Sequence, residues 1–257
     1  MTHSVFEKFN IRRKELTFDK LKMYQKLYQS NINIPKTFYF EKEIFFQIEN
    51  EEVGSIDLFS ENLISKPRFS NGGKGIEFIN KKDINRESSI LFQEIIKNHN
   101  AISNVQRNNF CSTIRFVFYN SDKFYPIGAS VQFNTGKVID HMMQGGSIGV
   151  LVDPNTGKLL GKGFNNEGRI FENHPVSGIR FDDFQLPNWD LVMIEIKKIG
   201  FNYPMLPLIA VDLCITEEKC TIIELNAGCG TIAGQLDHGW LDHTFFTEYY
   251  PKRPINQ

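Results

Sequence analysis

The chain has 257 residues, 41% of them hydrophobic, and its 29 basic and 30 acidic residues give a formal net charge of -1. This composition suits a soluble fold with a sizeable core, while the balanced charge argues against sequence-independent binding to nucleic acid or to an anionic membrane. The sequence begins without a signal-like apolar stretch, it has no run of about 20 apolar residues that would span a bilayer, and its four cysteines form neither a CxxC pair nor a zinc pattern. We therefore expect a cytoplasmic protein with buried, reduced thiols.

The first third of the chain predicts a helix followed by strands. Apolar side chains recur at helical spacing over residues 18–29, and Asn33 to Pro35 end this pattern before the strand-like KTFYF. Strands are predicted at 62–66 and 75–79, which makes the glycine-rich stretch between them the connection of a hairpin. A further buried strand is predicted at 90–96.

Short β-type runs separated by turn residues dominate the middle of the chain. They cover 113–119, 126–133, 146–153 and 159–164. Helical spacing returns at Trp189, with Asn188 as an expected N-cap and Gly200 placed to end the helix. Strands at 208–216 and 221–226, joined by the turn EEKC, complete the pattern. Because short strands outnumber helices, and the helices lie early and late, we predict an α+β fold with mainly antiparallel sheet.

The stretch KPRFSNGGKGI, residues 66–76, has two interpretations. Gly72, Gly73 and Gly75 allow backbone amides to approach an anion closely, and Lys66 and Lys74 add positive charge on either side. The loop could therefore close over a polyphosphate, or it could be a solvated glycine turn with surface lysines. It is not a GxxxxGK[ST] loop, because no Ser or Thr follows Lys74.

The segment VDLCITEEKCTIIELN contains a candidate metal site. Glu224 and Asn226 are two residues apart, so their side chains leave the same face of a strand, and Asp212 can return opposite them across the hairpin. Two carboxylates and an amide oxygen form a hard-oxygen site suited to Mg²⁺. The alternative is that one of the carboxylates faces solvent.

Other candidates are more dispersed. Arg115 lies in the otherwise hydrophobic STIRFVF, where it needs an anionic partner, either a substrate phosphoryl group or a carboxylate in a structural ion pair. His99 and His174 stand in turn-like contexts that suit either substrate contacts or ordinary solvent-facing or satisfied histidines. Gly145 and Gly146 are either an anion-approaching turn or a bulge.

Taken in order, these segments resemble the ATP-grasp superfamily, and more closely the sugar-transfer-associated ATP-grasp proteins. DKLKMYQKLYQSNINIP, beginning at Asp19, resembles the opening of many ATP-grasp ligase domains, with Lys20 at the first nucleotide-contacting lysine. Lys66 with Pro67 matches the KP before the glycine loop, and FQEII, beginning at Phe92, resembles the hinge that receives adenine. The D…ExN pattern of Asp212, Glu224 and Asn226 resembles the metal-binding pattern of glutamate-adding ligases. The narrower match rests on NHNAIS, STIRFVF, GGSIGVLVDPNTGKL, HPVSGIRFDDFQLPNW and AVDLCIT…TIIELNAG.

The resemblance implies a nucleotide held between two α+β subdomains, residues 15–97 and 98–257, after an extension of residues 1–14. The residues that it assigns are Lys66 and Arg115 for catalysis; Lys20, Lys66, Gly72, Gly73, Lys74, Gly75, Gln93, Glu94 and Ile96 for ATP; Asp212, Glu224 and Asn226 for Mg²⁺; and His99, Gly145, Gly146 and His174 for substrate.

The activity that the resemblance implies is ATP- and Mg²⁺-dependent ligation of a carboxylate to an amine through an acyl phosphate, in surface-polysaccharide biosynthesis. The alternatives are a small-molecule kinase and a non-catalytic nucleotide-binding module of a glycosyltransferase complex. Only eighteen residues precede Asp19, whereas most ligases of this superfamily have a separate domain there. We therefore expect a differently built acceptor site, or one completed by a partner protein or a second copy of the chain.

Overall fold

Two antiparallel sheets dominate the computed structural model, which describes residues 15–42, 44–48, 52, 59–70, 73–120, 124–135 and 147–227. The first, in the order β2-β1-β5-β3-β4, contains β1 (Thr37–Glu41), β2 (Ile44–Gln47), β3 (Asn62–Pro67), β4 (Glu77–Asn80) and β5 (Ile90–Glu94). The second, in the order β10-β9-β8-β7-β6-β11-β12, contains β6 (Thr113–Asn120), β7 (Phe124–Asn134), β8 (Ser147–Val152), β9 (Leu159–Phe164), β10 (Ile170–Phe171), β11 (Leu208–Ile215) and β12 (Cys220–Asn226). The predicted α+β class with mainly antiparallel sheet is confirmed.

The helices of the described residues are α1 (Glu15–Phe18), α2 (Lys20–Gln29), α3 (Asn100–Gln106) and α4 (Trp189–Asn202). The predicted first helix is interrupted at Asp19, whose side chain caps α2 by accepting hydrogen bonds from the backbone amides of Leu21 and Lys22. The sequence did not predict β2, β10 or the polar α3. None of these helices is long and apolar enough to cross a bilayer.

The two predicted ends of α4 have different outcomes. Asn188 is the N-cap residue, as predicted, but its backbone is left-handed, with φ of 51°, and its side chain makes no capping hydrogen bond; its side-chain amide instead donates to the backbone oxygens of Thr216 and Glu217 at 3.4 and 3.2 Å. The prediction that Gly200 ends the helix was wrong, because α4 continues to Asn202. Gly200 lies inside the helix, where a Cβ would come within 3.0 Å of the Asn120 side-chain oxygen. The glycine therefore permits a close approach to β6 rather than ending the helix.

The largest core cluster joins both sheets through α2. The buried side chains of this helix are Lys20, Leu21, Met23, Tyr24 and Leu27. Its apolar members pack in one cluster with Leu91 of the first sheet and Leu225 of the second. Because α2 lies at this junction, its polar side chains can reach both sheets.

A second, aromatic cluster packs on the first sheet and contains Phe38, Phe40, Phe45, Phe59, Leu63 and Phe92. Among the cysteines, Cys214 and Cys220 are buried free thiols and Cys111 is a half-buried one. Cys229 lies outside the described residues.

Candidate functional site

A β-bulge in β12 determines which face of the sheet carries the predicted metal ligands Glu224 and Asn226. The β11–β12 pairing shifts register after Asp212–Glu224, which makes Ile223 an extra residue. The core-facing residues of β12 and its end consequently change from even to odd numbers: Cys220, Ile222, Leu225 and Ala227. Glu224 and Asn226 therefore point away from the core, toward the face that carries Asp212.

Strand register and ion pairing define a group that we call the carboxylate row: Asp212 and Glu224, with Arg115 beside them. Asp212 pairs with Glu224 on β12 and with Arg115 on β6. The guanidinium donates from Nε to Asp212 Oδ1 at 2.8 Å and from Nη2 to Oδ2 at 2.7 Å. Of the two interpretations of Arg115, the structure therefore shows the ion pair with a carboxylate.

The oxygen atoms beside the row suit Mg²⁺. Asn226 donates from Nδ2 to Asp212 Oδ2 at 3.2 Å, which leaves its side-chain oxygen as an acceptor, and the Glu224 side chain is 25% exposed. Within the described ranges no cluster of three or more His, Cys, Asp or Glu side chains forms. Two carboxylates and one amide oxygen nevertheless fit Mg²⁺, because this ion usually retains waters and binds substrate phosphates.

Two buried cations, which we call the lysine pair, approach the row from α2 and β3. Lys20 lies with its Nζ 3.2 Å from Glu224 Oε1 and also donates to the backbone oxygen of Ser70. Lys66 donates from Nζ to the hydroxyl of Tyr24 at 3.0 Å. Each lysine is only 5% exposed. Lys20 contacts the row directly, whereas Lys66 is linked to β12 through the Tyr24 hydroxyl, which also bonds to the backbone oxygen of Ile223.

An ion pair that the sequence did not predict anchors the lysine pair. Arg68 donates from Nε and Nη2 to the two carboxylate oxygens of Asp19, both at 2.6 Å, and the Lys20 amide donates to the Arg68 backbone oxygen at 3.2 Å. Burial raises the pKa of Asp19, but the hydrogen bonds from Arg68 and from the Lys22 and Leu21 backbone amides outweigh it, so the pKa lies below its usual value. No sequence spacing signals this pair, because its members belong to different elements.

The glycine stretch connects β3 and β4, which pair antiparallel as predicted. Gly73 and Gly75 have φ of 73° and 72°. A Cβ at Gly75 would come within 2.7 Å of Pro67 Cγ, so the turn requires glycine there. Lys74 is exposed at the turn, and Gly72 lies outside the described residues.

The predicted hinge residues divide into two groups. Glu94 and Ile96 line a cleft of about 350 Å³ between the hinge and the β11–β12 turn. Thr221 also lines this cleft, and its buried hydroxyl has no hydrogen-bond partner in the described part of the chain. Gln93 does not line it; its amide donates to the Thr37 hydroxyl at 2.7 Å.

The two histidines lie in different surroundings. His99 caps α3, accepting from the Ala101 amide at 3.1 Å through Nδ1, and its Nε2 is 3.3 Å from Glu217. His174 is fully buried, and burial lowers its pKa against a weaker opposing effect of the Asn134 backbone. Neither histidine makes a contact with the lysine pair or the row within the described residues. Gly145 and Gly146 lie outside them.

Comparisons with known proteins agree on one fold. The family described as sugar-transfer associated ATP-grasp matches residues 84–241, and an ATP-grasp domain family matches residues 17–143. No curated protein matches the sequence.

Two solved structures resemble the chain in fold. D-alanyl-alanine synthetase A from Vibrio cholerae O1 biovar eltor is 11% identical with a TM-score of 0.51, over 84% of this chain and 56% of that chain. N5-carboxyaminoimidazole ribonucleotide synthetase, solved as an ADP complex, is 10% identical with a TM-score of 0.50, over 84% of this chain and 46% of that chain. The chain thus spans about half the length of these structures.

Proposed function

The chain belongs to the sugar-transfer associated ATP-grasp family, and we propose that it is an ATP- and Mg²⁺-dependent ligase that joins a carboxylate to an amine. One observation carries this proposal: Lys20 of the lysine pair meets the carboxylate row where the two sheets join, with its Nζ 3.2 Å from Glu224 Oε1. Cations that can neutralise phosphates thus lie beside oxygen ligands that can hold their metal ion.

The proposed reaction has two steps. An oxygen of the substrate carboxylate attacks the γ-phosphorus, the bond to the β–γ bridging oxygen breaks and ADP leaves. The amine nitrogen then attacks the acyl carbon, phosphate leaves with the carbon–oxygen bond electrons, and the nitrogen loses its proton to solvent. The acyl phosphate between these steps is hydrolysable, so the site must exclude water.

Each group has a role in this scheme. Lys20 and Lys66 bind the phosphates and stabilise charge on the transferring group, and the loop between β3 and β4 covers them. Arg115 orients Asp212 through its paired hydrogen bonds. Asp212, Glu224 and Asn226 would hold Mg²⁺, which supplies charge neutralisation on the phosphates when bound.

The remaining assignments extend the proposal. Glu94 and Ile96 line the cleft that we assign to adenine, and the family description supports a role in assembling a sugar-containing product such as a surface polysaccharide. We place the boundary between the two subdomains at residues 97 and 98.

Mg-ATP binding is tested by thermal unfolding of the wild-type chain with and without the nucleotide. Ligand at a hundredfold excess over its dissociation constant should stabilise the wild type by about 2.7 kcal/mol. Lys66→Ala and Asp212→Asn should each abolish this gain, whereas Lys82→Ala, at an exposed lysine, should keep it. Full retention of the gain by both site variants would contradict the ATP site.

The reaction is tested by measuring ATP consumption over a panel of amino acids and amino or uronic sugars, with mass detection of products. A ligase releases phosphate only when an acid and an amine are both present, and their condensed product appears. Phosphate left on a single substrate would instead identify a kinase. Binding of Mg-ATP without turnover on any pair would favour a nucleotide-binding module.

A further inference from the structure

Tyr24 lies between the lysine pair and the bulge of β12. Its side chain is fully buried, and its hydroxyl accepts a hydrogen bond from Lys66 Nζ at 3.0 Å while it donates to the backbone oxygen of Ile223. The ammonium of Lys66 also lies 5.4 Å from the centre of the Tyr24 ring. One phenol therefore contacts both β3 and β12.

The contact with Ile223 is informative because Ile223 is the extra residue of the bulge. A bulge leaves its extra residue outside the regular ladder of hydrogen bonds, and the Tyr24 hydroxyl supplies a partner for that backbone oxygen. The next residue is Glu224. The phenol therefore stabilises the bulge that orients the Glu224 carboxylate toward the site.

Neighbouring positions of α2 reinforce the same contact. Lys20, Met23 and Tyr24 share one face of the helix. Lys20 contacts Glu224 at 3.2 Å, and the Met23 sulfur accepts a hydrogen bond from the Leu225 amide at 3.3 Å. The helix thus contacts consecutive residues of β12 around the bulge.

We propose that Tyr24 is a positioning residue of the phosphate-binding site, whose hydroxyl fixes the Lys66 ammonium relative to Glu224. A lysine has a flexible stem and three rotatable donors, so an acceptor that selects one position favours binding of the phosphates. This inference rests on the proposed ATP-binding function. A tyrosine buried for packing alone would use its ring and would gain nothing specific from the hydroxyl.

The experiment compares the wild type, Tyr24→Phe and a control, Tyr28→Phe. The control removes the same hydroxyl from the same helix at a residue that is 45% exposed. Affinities are measured for Mg-ATP and for adenosine, which lacks all three phosphates. Loss of a hydrogen bond to a charged group should weaken Mg-ATP binding by Tyr24→Phe about tenfold, with adenosine affinity unchanged and Tyr28→Phe behaving as the wild type.

The outcomes separate the two levels of the proposal. If the wild type does not bind Mg-ATP, the proposed function fails before any variant is compared. If the wild type binds it, unchanged Mg-ATP affinity in Tyr24→Phe, or an equal loss for adenosine, overturns the positioning role. Should Tyr24→Phe not fold, Tyr24→Met, which also lacks the hydroxyl, is measured with the same two ligands and judged by the same criterion.

Discussion

The carboxylate row and the lysine pair form the two sides of the candidate site and are held in different ways. In the row, Asp212 carries two charged hydrogen bonds from Arg115 on the neighbouring strand. In the pair, Lys66 is equally buried, but among the described residues it bonds to a neutral phenol rather than to a carboxylate. The ion pair in the row should therefore stabilise the fold. Lys66 should instead decrease the stability of the fold, because its buried charge serves to bind phosphate.

The largest expected effect comes from breaking the row. Asp212→Ala leaves the Arg115 guanidinium, whose side chain is 25% exposed, without its carboxylate. We expect the free energy of unfolding to fall by about 3 kcal/mol, because a partly buried guanidinium loses the carboxylate that accepts two of its hydrogen bonds. Urea unfolding without nucleotide measures this change.

A double variant tests that explanation. Replacing both partners, as Arg115→Leu with Asp212→Leu, removes the uncompensated charge and should recover much of the stability that Asp212→Ala loses. A double variant at least as unstable as Asp212→Ala would show that the ion pair is not what holds the row.

The row was also the side of the site that the sequence predicted better. The two-residue spacing of Glu224 and Asn226 and the tight turn before them place these side chains and Asp212 on adjacent strands, because strand pairing follows from local pattern. The bulge at Ile223 was not predicted, although it decides that Glu224 faces away from the core. A single extra residue has no compositional signal here, since Ile222 and Ile223 are chemically identical.

The lysine pair was predicted residue by residue, but its surroundings were not. Lys66 was singled out beside the glycine-rich loop and Lys20 through a resemblance, whereas Tyr24 was interpreted only as an apolar residue of a helix and Arg68 was not singled out. Their contacts join α2, β3 and β12, and such contacts arise from tertiary packing rather than from any local period. The same reason explains Asn188, which is the N-cap residue of α4 but whose side chain bonds to the β11–β12 turn rather than to the first amides of the helix.

A smaller effect tests whether all buried charges around the lysine pair destabilise the fold, or only Lys66. Asp19→Asn keeps an N-cap side chain for α2 but removes the charge that pairs with Arg68. We expect a loss of about 1 kcal/mol at pH 7, at the upper end for a pair that is not fully buried. A loss would show that charge pairing stabilises this side too, so that the predicted destabilisation is specific to Lys66.

The pH dependence of this loss has a definite sign. The folded-state pKa of Asp19 is lowered, so its contribution is fully present above the unfolded-state pKa of about 3.9 and is lost as the pH falls through the lower folded-state value. Urea midpoints of wild type and Asp19→Asn should therefore differ at pH 7 and converge as the pH falls below about 4. A difference that stays constant down to pH 3 would assign the loss to the cap instead.

The last expected effect is as small as that of Asp19→Asn and has the opposite sign. Lys66→Met keeps an unbranched side chain of similar length but removes a cation that is only 5% exposed. Because burying an ammonium without a carboxylate is unfavourable, we expect the free energy of unfolding without nucleotide to rise by about 1 kcal/mol, as at other functional sites that trade stability for activity. Urea unfolding without nucleotide measures the rise, and the same variant should lose the stabilisation by Mg-ATP.

Lys82→Met is the matched control, since Lys82 is exposed and lies outside the site; it should change neither the stability nor the response to Mg-ATP. A loss of stability in Lys66→Met comparable to that of Asp212→Ala would mean that Lys66 belongs to a paired network like the row. Charge pairing would then stabilise both the row and the lysine pair. The burial of Lys66 would not explain its binding to phosphate, and the loop between β3 and β4 would have to provide that binding. A gain in stability together with a lost nucleotide response would instead locate the phosphate-binding energy in the charge of Lys66, whose hydrogen-bond partner among the described residues is the neutral Tyr24.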